Sequence, residues 1–286
     1  LPEVETVRRG LAPFMTEATI FKAEARRPDL RFPLPQQFAA RLTGARIGAL
    51  RRRGKYLIAD LDTKESLIIH LGMSGRFTVQ ASKGDQTHRP GQFVYAADGD
   101  PRHDHIVFHM SSADGPKIVF NDPRRFGFMD LCATEGLDQS RHFAQMGPEP
   151  LSSHFTAAGL NAALKSRRTS IKAALLDQRI VAGIGNIYAC EALHRAKISP
   201  RRRAASVSGV RGVRLFGAVT AVLEEAIEAG GSSLKDFAGA DGALGYFQHQ
   251  FKVYGREGEQ CAQCGDDVRR LVQAGRSTFF CPGCQR

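Results

Sequence analysis

Two Cys-x-x-Cys turns, Cys261-Ala-Gln-Cys264 and Cys281-Pro-Gly-Cys284, end this 286-residue chain with 16 residues between them. Each turn aims two thiolates at one point, and a hairpin joining them gathers four sulfurs into a closed tetrahedral zinc site. With every coordination position taken, one structural Zn2+ is expected. Arg269, Arg270 and Arg276 lie between the knuckles, so the metal would staple a basic hairpin. The competing reading is a pair of disulfides, which needs an oxidising compartment. The acidic Leu1-Pro-Glu-Val-Glu stretch lacks the apolar run of a signal peptide, and no run of 18 apolar residues is present to span a membrane. Cys132 and Cys190 are left over and expected to be reduced, with a cytoplasmic location.

Lys and Arg number 40 against 29 Asp and Glu, a formal charge of +11 that favours a polyanionic partner. The cations cluster as Arg8-Arg9, Arg51-Arg-Arg53, Arg124-Arg125, Arg167-Arg168 and Arg201-Arg-Arg203, and arginine forks match phosphate oxygens. Charge alone fits a solubilising surface equally well; with the basic hairpin, nucleic acid is the favoured partner.

Period and punctuation predict three regions. Val4, Val7, Leu11 and Phe14 make residues 3–15 a short amphipathic helix. Strand-like runs follow at 18–23, 45–61, 67–79, 92–97, 106–110, 117–120 and 126–131, broken by Asp98-Gly99 and Asp114-Gly115. Many short strands before any long helix imply a sandwich or barrel. Gly147-Pro-Glu-Pro-Leu-Ser-Ser-His reads as a linker. Helical periods occupy 156–164, 170–176, 187–196 and 206–229, the last with Val210, Val213, Leu215, Val219, Val222, Leu223 and Ile227 on its apolar face and Gly230-Gly231 as its stop. Residues 231–250 read as a loop. The expected class is α+β and multidomain: a β-sandwich domain over 1–133, a linker over 134–152, a helical domain over 153–250 and a zinc finger over 251–286.

Several motifs could carry chemistry. Ala182-Gly-Ile-Gly-Asn186 between helical segments makes a tight turn into a helix N-terminus, either a phosphate site or an ordinary packing joint. Asn121-Asp-Pro-Arg124-Arg125-Phe126-Gly127 is a polar turn whose cation and ring could wedge into a base stack. Read unaided, Phe126 is more naturally core, and so is Met73 in His70-Leu-Gly-Met73-Ser-Gly. Lys55 stands at a strand entrance beside Arg51–Arg53, where cationic neighbours can depress a lysine pKa, or where it simply contacts phosphate. His103-Asp-His105 reads as a hydrogen-bonded turn sooner than a metal pair.

Taken in order, these residues resemble the bacterial formamidopyrimidine-DNA glycosylases. The resemblance rests on Leu1-Pro-Glu-Val-Glu-Thr-Val-Arg-Arg-Gly, Gly54-Lys-Tyr-Leu, His70-Leu-Gly-Met-Ser-Gly, Asp122-Pro-Arg-Arg-Phe-Gly, Met146-Gly-Pro-Glu-Pro-Leu, Gly183-Ile-Gly-Asn-Ile-Tyr-Ala, Gly245-Tyr-Phe, Val253-Tyr-Gly-Arg and Gly275-Arg-Ser-Thr-Phe-Phe-Cys. It implies a bifunctional glycosylase and abasic-site lyase of base excision repair that removes 8-oxoguanine and formamidopyrimidines. It further implies an N-terminal β-sandwich, a helix-two-turn-helix domain, a zinc-finger hairpin, a monomer, and lesion-bearing duplex DNA as partner. By the same resemblance Lys55 assists elimination and Arg276 donates a late proton. Met73, Arg124 and Phe126 fill the hole left by the extruded nucleotide. Asn186 and Arg276 hold flanking phosphates, His103 and Arg167 contact DNA, and residues 236–246 cover the flipped base.

The sequence departs from the family pattern in two places. The pattern opens Pro-Glu-Leu-Pro-Glu-Val-Glu, and residue 1 here is its third position, so the nucleophilic proline and its glutamate fall before Leu1. A terminal amine with a pKa near ~8 is substantially unprotonated at neutral pH, whereas a lysine near ~10.4 is not. The native protein is expected to carry Pro-Glu ahead of Leu1; a chain beginning at Leu1 is expected to bind lesions without cleaving. The segment 80–102, with His88 and Arg89, is longer than the family pattern, and an extra hairpin is expected there. Two alternatives are an endonuclease VIII-like glycosylase for oxidised pyrimidines and a non-catalytic zinc-hairpin binder of damaged DNA.

Overall fold

A computed structural model describes residues 1–80, 100–111, 115–232 and 247–286. The expected strand at 92–97, the turn at Asp98-Gly99, His88, Arg89 and the covering loop at 236–246 lie outside the described residues. Contacts divide the chain into two compact units.

One unit holds Pro2–Ala144, joined by 230–232 among the described residues. It opens with α1 (Pro2–Met15), whose Val4, Val7, Leu11 and Met15 are buried at helical spacing. Pro2 takes the first helical position, where its missing N–H costs nothing. Two antiparallel four-stranded sheets follow. The first runs in the order β1 (Ile20–Ala25), β6 (Asp104–Met110), β7 (Lys117–Asn121), β5 (Arg76–Gln80). The second runs β2 (Ile47–Arg53), β3 (Tyr56–Leu61), β4 (Glu65–His70), β8 (Phe128–Ala133). Alternate residues such as Leu57, Ala59, Leu67, Ile69, Phe108 and Phe120 form one core with the apolar face of α1.

Two of the expected strand runs divide. The run 45–61 is a hairpin, β2 and β3, with Arg53 paired to Tyr56 across Gly54-Lys55. Gly54 has φ 58°, the sign and residue that a type II′ hairpin turn takes at its first central position. Lys55 therefore sits at a hairpin tip. The run 67–79 is likewise β4 and β5, parted by residues 71–75. Apolar pattern marks both arms of a hairpin but not the two-residue tip between them.

The other unit holds Gln145–Ala229 and Phe247–Arg286, with Leu1. Its helices are α3 (Ala157–Lys165), α4 (Ile171–Leu176), α5 (Asn186–Arg195) and α6 (Val210–Glu228); the short α2 (Phe38–Leu42) belongs to the first unit. Thr156 caps α3 by accepting from Gly159 N, and Ser170 caps α4 by accepting from Ala173 N. Leu160, Leu175, Leu193, Leu215, Val219 and Leu223 lie in their shared core. The Pro-rich stretch at 147 is pinned to this unit, with Gly147 N donating to Gln178 O and Ala182 N to Pro148 O.

The expected apolar face of α6 needs correction. The helix starts at Val210, after a 3-10 turn at Ala204–Val207 and Gly209 with φ 70°. Val210 and Val213 are 82% and 53% exposed. The backbone turn at Gly209 launches α6 from outside the core, so its first turn overhangs and burial begins in earnest at Leu215. Leu223→Ala should therefore cost about 2–5 kcal/mol in chemical denaturation, and Val213→Ala should stay within about 0.5 kcal/mol. Equal costs would contradict this assignment.

Candidate nucleic-acid interface and zinc centre

In the sandwich unit, two turns meet at a buried carboxylate. Asp122 is fully buried at the end of β7. One of its carboxylate oxygens accepts from Ser74 Oγ in the 71–75 turn, and the other accepts from Gly127 N at 2.7 Å in the 122–127 turn. The Asp122 carbonyl accepts from Arg125 N at 3.1 Å and pairs with His105 Nε2 at 3.0 Å. Ser74 Oγ in turn accepts from Arg124 N at 3.3 Å. Gly72 has φ 67°, and a Cβ there would stand 2.4 Å from Gly127 N, so the two backbones touch. Only glycine permits that approach.

This lock presents Met73 and Phe126 to solvent, 60% and 43% exposed, with the Arg124 guanidinium 4.7 Å from the Phe126 ring centroid. Pattern alone favoured a core place for both residues, and the structure overturns that. Each lies in a turn whose neighbours satisfy the carboxylate, so the side chain points away from the core. A depression of about 460 Å³ beside them is lined by Asp29, Leu30, Arg31, Arg124, Arg125 and Phe126.

Lys55 is positioned from the helix side. Arg52 donates to Gly54 O at 3.0 Å and to Glu5 Oε2 of α1 at 3.2 Å. Burial pushes the Glu5 pKa up, but hydrogen bonds from Arg8 and Arg9 overcome it and hold the group at about 2. Glu5 thus stays ionised and the hairpin tip is tethered. Tyr56 packs against His70, ring centroids 5.0 Å apart, and His70 Nδ1 accepts from Gly72 N at 3.0 Å. Burial, then the positive charge of Lys55, lowers the His70 pKa to about 4. A neutral imidazole therefore links the Lys55 hairpin to the Met73 turn.

His103 ends the 3-10 turn Pro101–His103; its carbonyl accepts from Asp122 N at 3.0 Å, and its ring meets His105 edge-on at 6.3 Å. The expected hydrogen-bonded turn thus holds for His103 alone, since Asp104 and His105 already belong to strand β6. Among the described residues, the only group of three or more His, Cys, Asp and Glu side chains close enough to hold a metal is the four cysteines.

In the helical unit, Asn186 begins α5, with Gly185 as its cap residue. Its Nδ2 donates to Ser277 O at 2.9 Å, while Oδ1 is buried without a hydrogen-bond partner. Leu1 N donates to Gly183 O at 3.1 Å, a bond that a peptide N–H makes equally well. Arg276 opens β10 (Arg276–Phe280), which pairs with β9 (Arg269–Gln273) through Ala274-Gly275, both left-handed at φ 49° and 70°. Two left-handed centres are what a type I′ hairpin turn demands. Arg269, Arg270 and Arg276 are exposed on this hairpin. Arg167 lies just beyond α3, half-exposed, 4.0 Å from Asp177.

The four cysteine sulfurs lie within 4.8 Å of one another, Cys261 to Cys284 at 3.8 Å and Cys264 to Cys281 at 3.3 Å. A tetrahedron with Zn–S bonds of about 2.3 Å has edges of about 3.8 Å, so the set fits one zinc ion and no disulfide forms. Sequence reasoning missed the groups that seat this hairpin. Lys172 of α4 is fully buried and donates to Ser277 O at 2.9 Å and Thr278 Oγ1 at 2.7 Å. Burial lowers its pKa. Glu191 of α5 accepts from the amides of Lys252, Val253 and Tyr254 at 2.9–3.1 Å. Both partners are dozens of residues distant, and nothing local in the sequence marks them.

Three family descriptions match the chain: the formamidopyrimidine-DNA glycosylase N-terminal domain over residues 1–129, its H2TH domain over 146–238, and the zinc finger found in FPG and IleRS over 258–286. Formamidopyrimidine-DNA glycosylases of Ruegeria pomeroyi and a Bradyrhizobium species are 58% and 56% identical, covering 100% of this chain and 99% of each relative. Among solved structures, a Lactococcus lactis FPG point mutant in complex with Fapy-dG-containing DNA superposes with a TM-score of 0.85 at 33% identity, covering 100% of this chain and 99% of that one. The MutM (FPG) protein of Thermus thermophilus gives 0.83 at 39% identity, covering 100% and 98%. Sandwich, H2TH helices and four-cysteine finger together define a zinc-finger DNA glycosylase of base excision repair. The chain belongs to the formamidopyrimidine-DNA glycosylase family.

Two outcomes are expected. In a proton NMR titration, the His70 ring should stay neutral until near pH 4. The unfolded chain binds that proton near 6.5, so stability should fall as pH drops from 6.5 towards 4. A His70 midpoint near 6.5 would contradict the buried, Lys55-facing environment. Cys281→Ser should lose zinc and, with it, binding to lesion DNA, since a four-thiolate finger folds with its metal; DNA binding at wild-type strength with no zinc bound would refute the structural role.

Proposed function

We propose that this glycosylase and abasic-site lyase acts on oxidised purines, 8-oxoguanine and formamidopyrimidines, in duplex DNA. The observation that carries the reading is the exposed Met73, Arg124 and Phe126 set on two turns locked by Asp122. An apolar wedge with a stacked cation suits insertion into a duplex from which one nucleotide has been flipped. Arg124 faces the orphaned base, where its fork can bond a cytosine edge.

The remaining roles follow the family pattern residue by residue. Asn186, with an unpartnered buried oxygen beside the hairpin, and Arg276 hold the phosphates flanking the lesion. His103 and Arg167 add DNA contacts. In the family pattern the nucleophile is an N-terminal proline amine with a glutamate beside it. The amine attacks C1′, the base leaves, and the resulting iminium allows β- and then δ-elimination. Lys55 assists proton movement, and Arg276 donates late in the sequence. Zinc supplies a four-thiolate tether and takes no part in the reaction. The family pattern also implies a monomer, and a DNA substrate places it in the cytoplasm at the nucleoid.

Two solved relatives of Lactococcus lactis hold Fapy-dG-containing and abasic-site-containing DNA, which supports the purine reading. Another holds DNA with an oxidised pyrimidine, so thymine glycol belongs in the test as the competing substrate. Borohydride trapping of the chain preceded by Pro-Glu, on 8-oxoguanine opposite cytosine, should give a covalent adduct. Absence of an adduct while the duplex is bound would sink the amine mechanism. Lys55→Ala should lower 8-oxoguanine excision by about 10²–10⁴-fold and leave binding to an abasic-site analogue intact; loss of both would contradict its role.

A further inference from the structure

The four cysteines do not share one environment. Cys261 and Cys281 are buried, while Cys264 is exposed and Cys284 is intermediate. Zinc with four thiolates carries a net charge of −2. Water can solvate an exposed thiolate, but a buried one depends on protein donors. Cys281 Sγ is reached by Cys284 N at 3.5 Å. Cys261 is reached by the amides of Gln263 and Cys264 within its own knuckle, and by one side chain from far along the chain: His194 Nε2 lies 3.6 Å from Cys261 Sγ. Sulfur is larger than oxygen, so this distance suits an N–H···S bond. Both residues are 2% exposed, so bulk water has little access to the contact.

We propose that His194 is an outer-shell donor to the zinc centre, its Nε2–H hydrogen-bonded to the Cys261 thiolate. The direction of the bond follows from the metal. A zinc-bound cysteine has no proton to give, so the imidazole is the donor and carries its proton on Nε2. Such partners fix a ligand's orientation and draw off part of its charge. The contact also completes a two-point attachment of the finger. The first knuckle is held by His194 at the end of α5. The second is held by Gln285, whose Oε1 accepts from Cys281 N at 2.8 Å while its Nε2 donates to Ile198 O at 2.9 Å, just past α5. His194 therefore acts by positioning a ligand, without touching DNA.

The test uses the full chain with His194→Phe and His194→Gln. Phenylalanine keeps the ring volume and removes the donor; glutamine keeps an N–H of similar reach. Zinc affinity is read by chelator competition, and cobalt in place of zinc reports on the thiolates through its sulfur-to-metal charge-transfer band. Phenylalanine should weaken zinc binding on the order of tenfold and move the cobalt band to lower energy, because an unbonded thiolate gives up its electron more readily. Glutamine should restore both. A phenylalanine variant with wild-type affinity and an unmoved band overturns the proposal. Weaker binding with an unmoved band marks simple packing and overturns it too. If phenylalanine prevents folding, glutamine alone decides: near-wild-type affinity and band support the bond, and loss of both refutes it.

Discussion

Helix α5 and the zinc hairpin hold each other, and the placement of Asn186 and Arg276 depends on that grip. One side of the helix carries Asn186, Cys190, Glu191 and His194, at spacings that bring them to one face. Asn186 bonds the hairpin strand at Ser277, Glu191 gathers the amides leading into the finger, and His194 meets the first knuckle. Lys172 adds a second bond to Ser277 from α4. Arg276 is the residue before Ser277, so its place is set by bonds made on the neighbouring carbonyl. A basic hairpin of two five-residue strands has too little core to order itself. The metal and the buried polar bonds to α5 supply what apolar burial cannot.

The sandwich unit solves a similar problem without metal. Its exposed Met73, Arg124 and Phe126 sit on turns, which left to themselves wander. Asp122 removes that freedom by accepting one bond from each turn, with Gly72 packed against the backbone at Phe126–Gly127. A carboxylate buried this completely is costly unless bonded. The same bonds that satisfy it fix Met73, Arg124 and Phe126 before any partner arrives. Less ordering entropy then remains to be lost when a duplex binds.

The parts of this molecule legible in its sequence are those with short-range causes. Knuckle spacing foretold the four-sulfur cluster, and Thr156 and Ser170 marked helix starts that the structure keeps within a residue. The hairpin tip at Gly54-Lys55, and the 71–75 turn by which the chain passes from one sheet to the other, were hidden inside apolar runs. Val210 and Val213 were misread because a helical period cannot show where the core ends. Met73 and Phe126 looked like core for the same reason: only Asp122, 49 positions beyond Met73, decides their exposure. Lys172 with Thr278, and His194 with Cys261, are 106 and 67 residues apart, and no local pattern announces such pairs. The roles given to Lys55, Asn186 and Arg276 came from resemblance to the family and not from any property of those residues read alone.

The central claim, that zinc and α5 form one cooperative block, is tested most directly by amide hydrogen exchange on the zinc-loaded and zinc-stripped protein, read across residues 186–195. The account predicts that stripping the metal strongly reduces protection along α5 as well as in the hairpin, while β3 and β4 of the sandwich keep theirs. Protection in α5 that survives metal removal would show that the helix stands without the finger, and the account of how Arg276 and Asn186 are placed would be wrong.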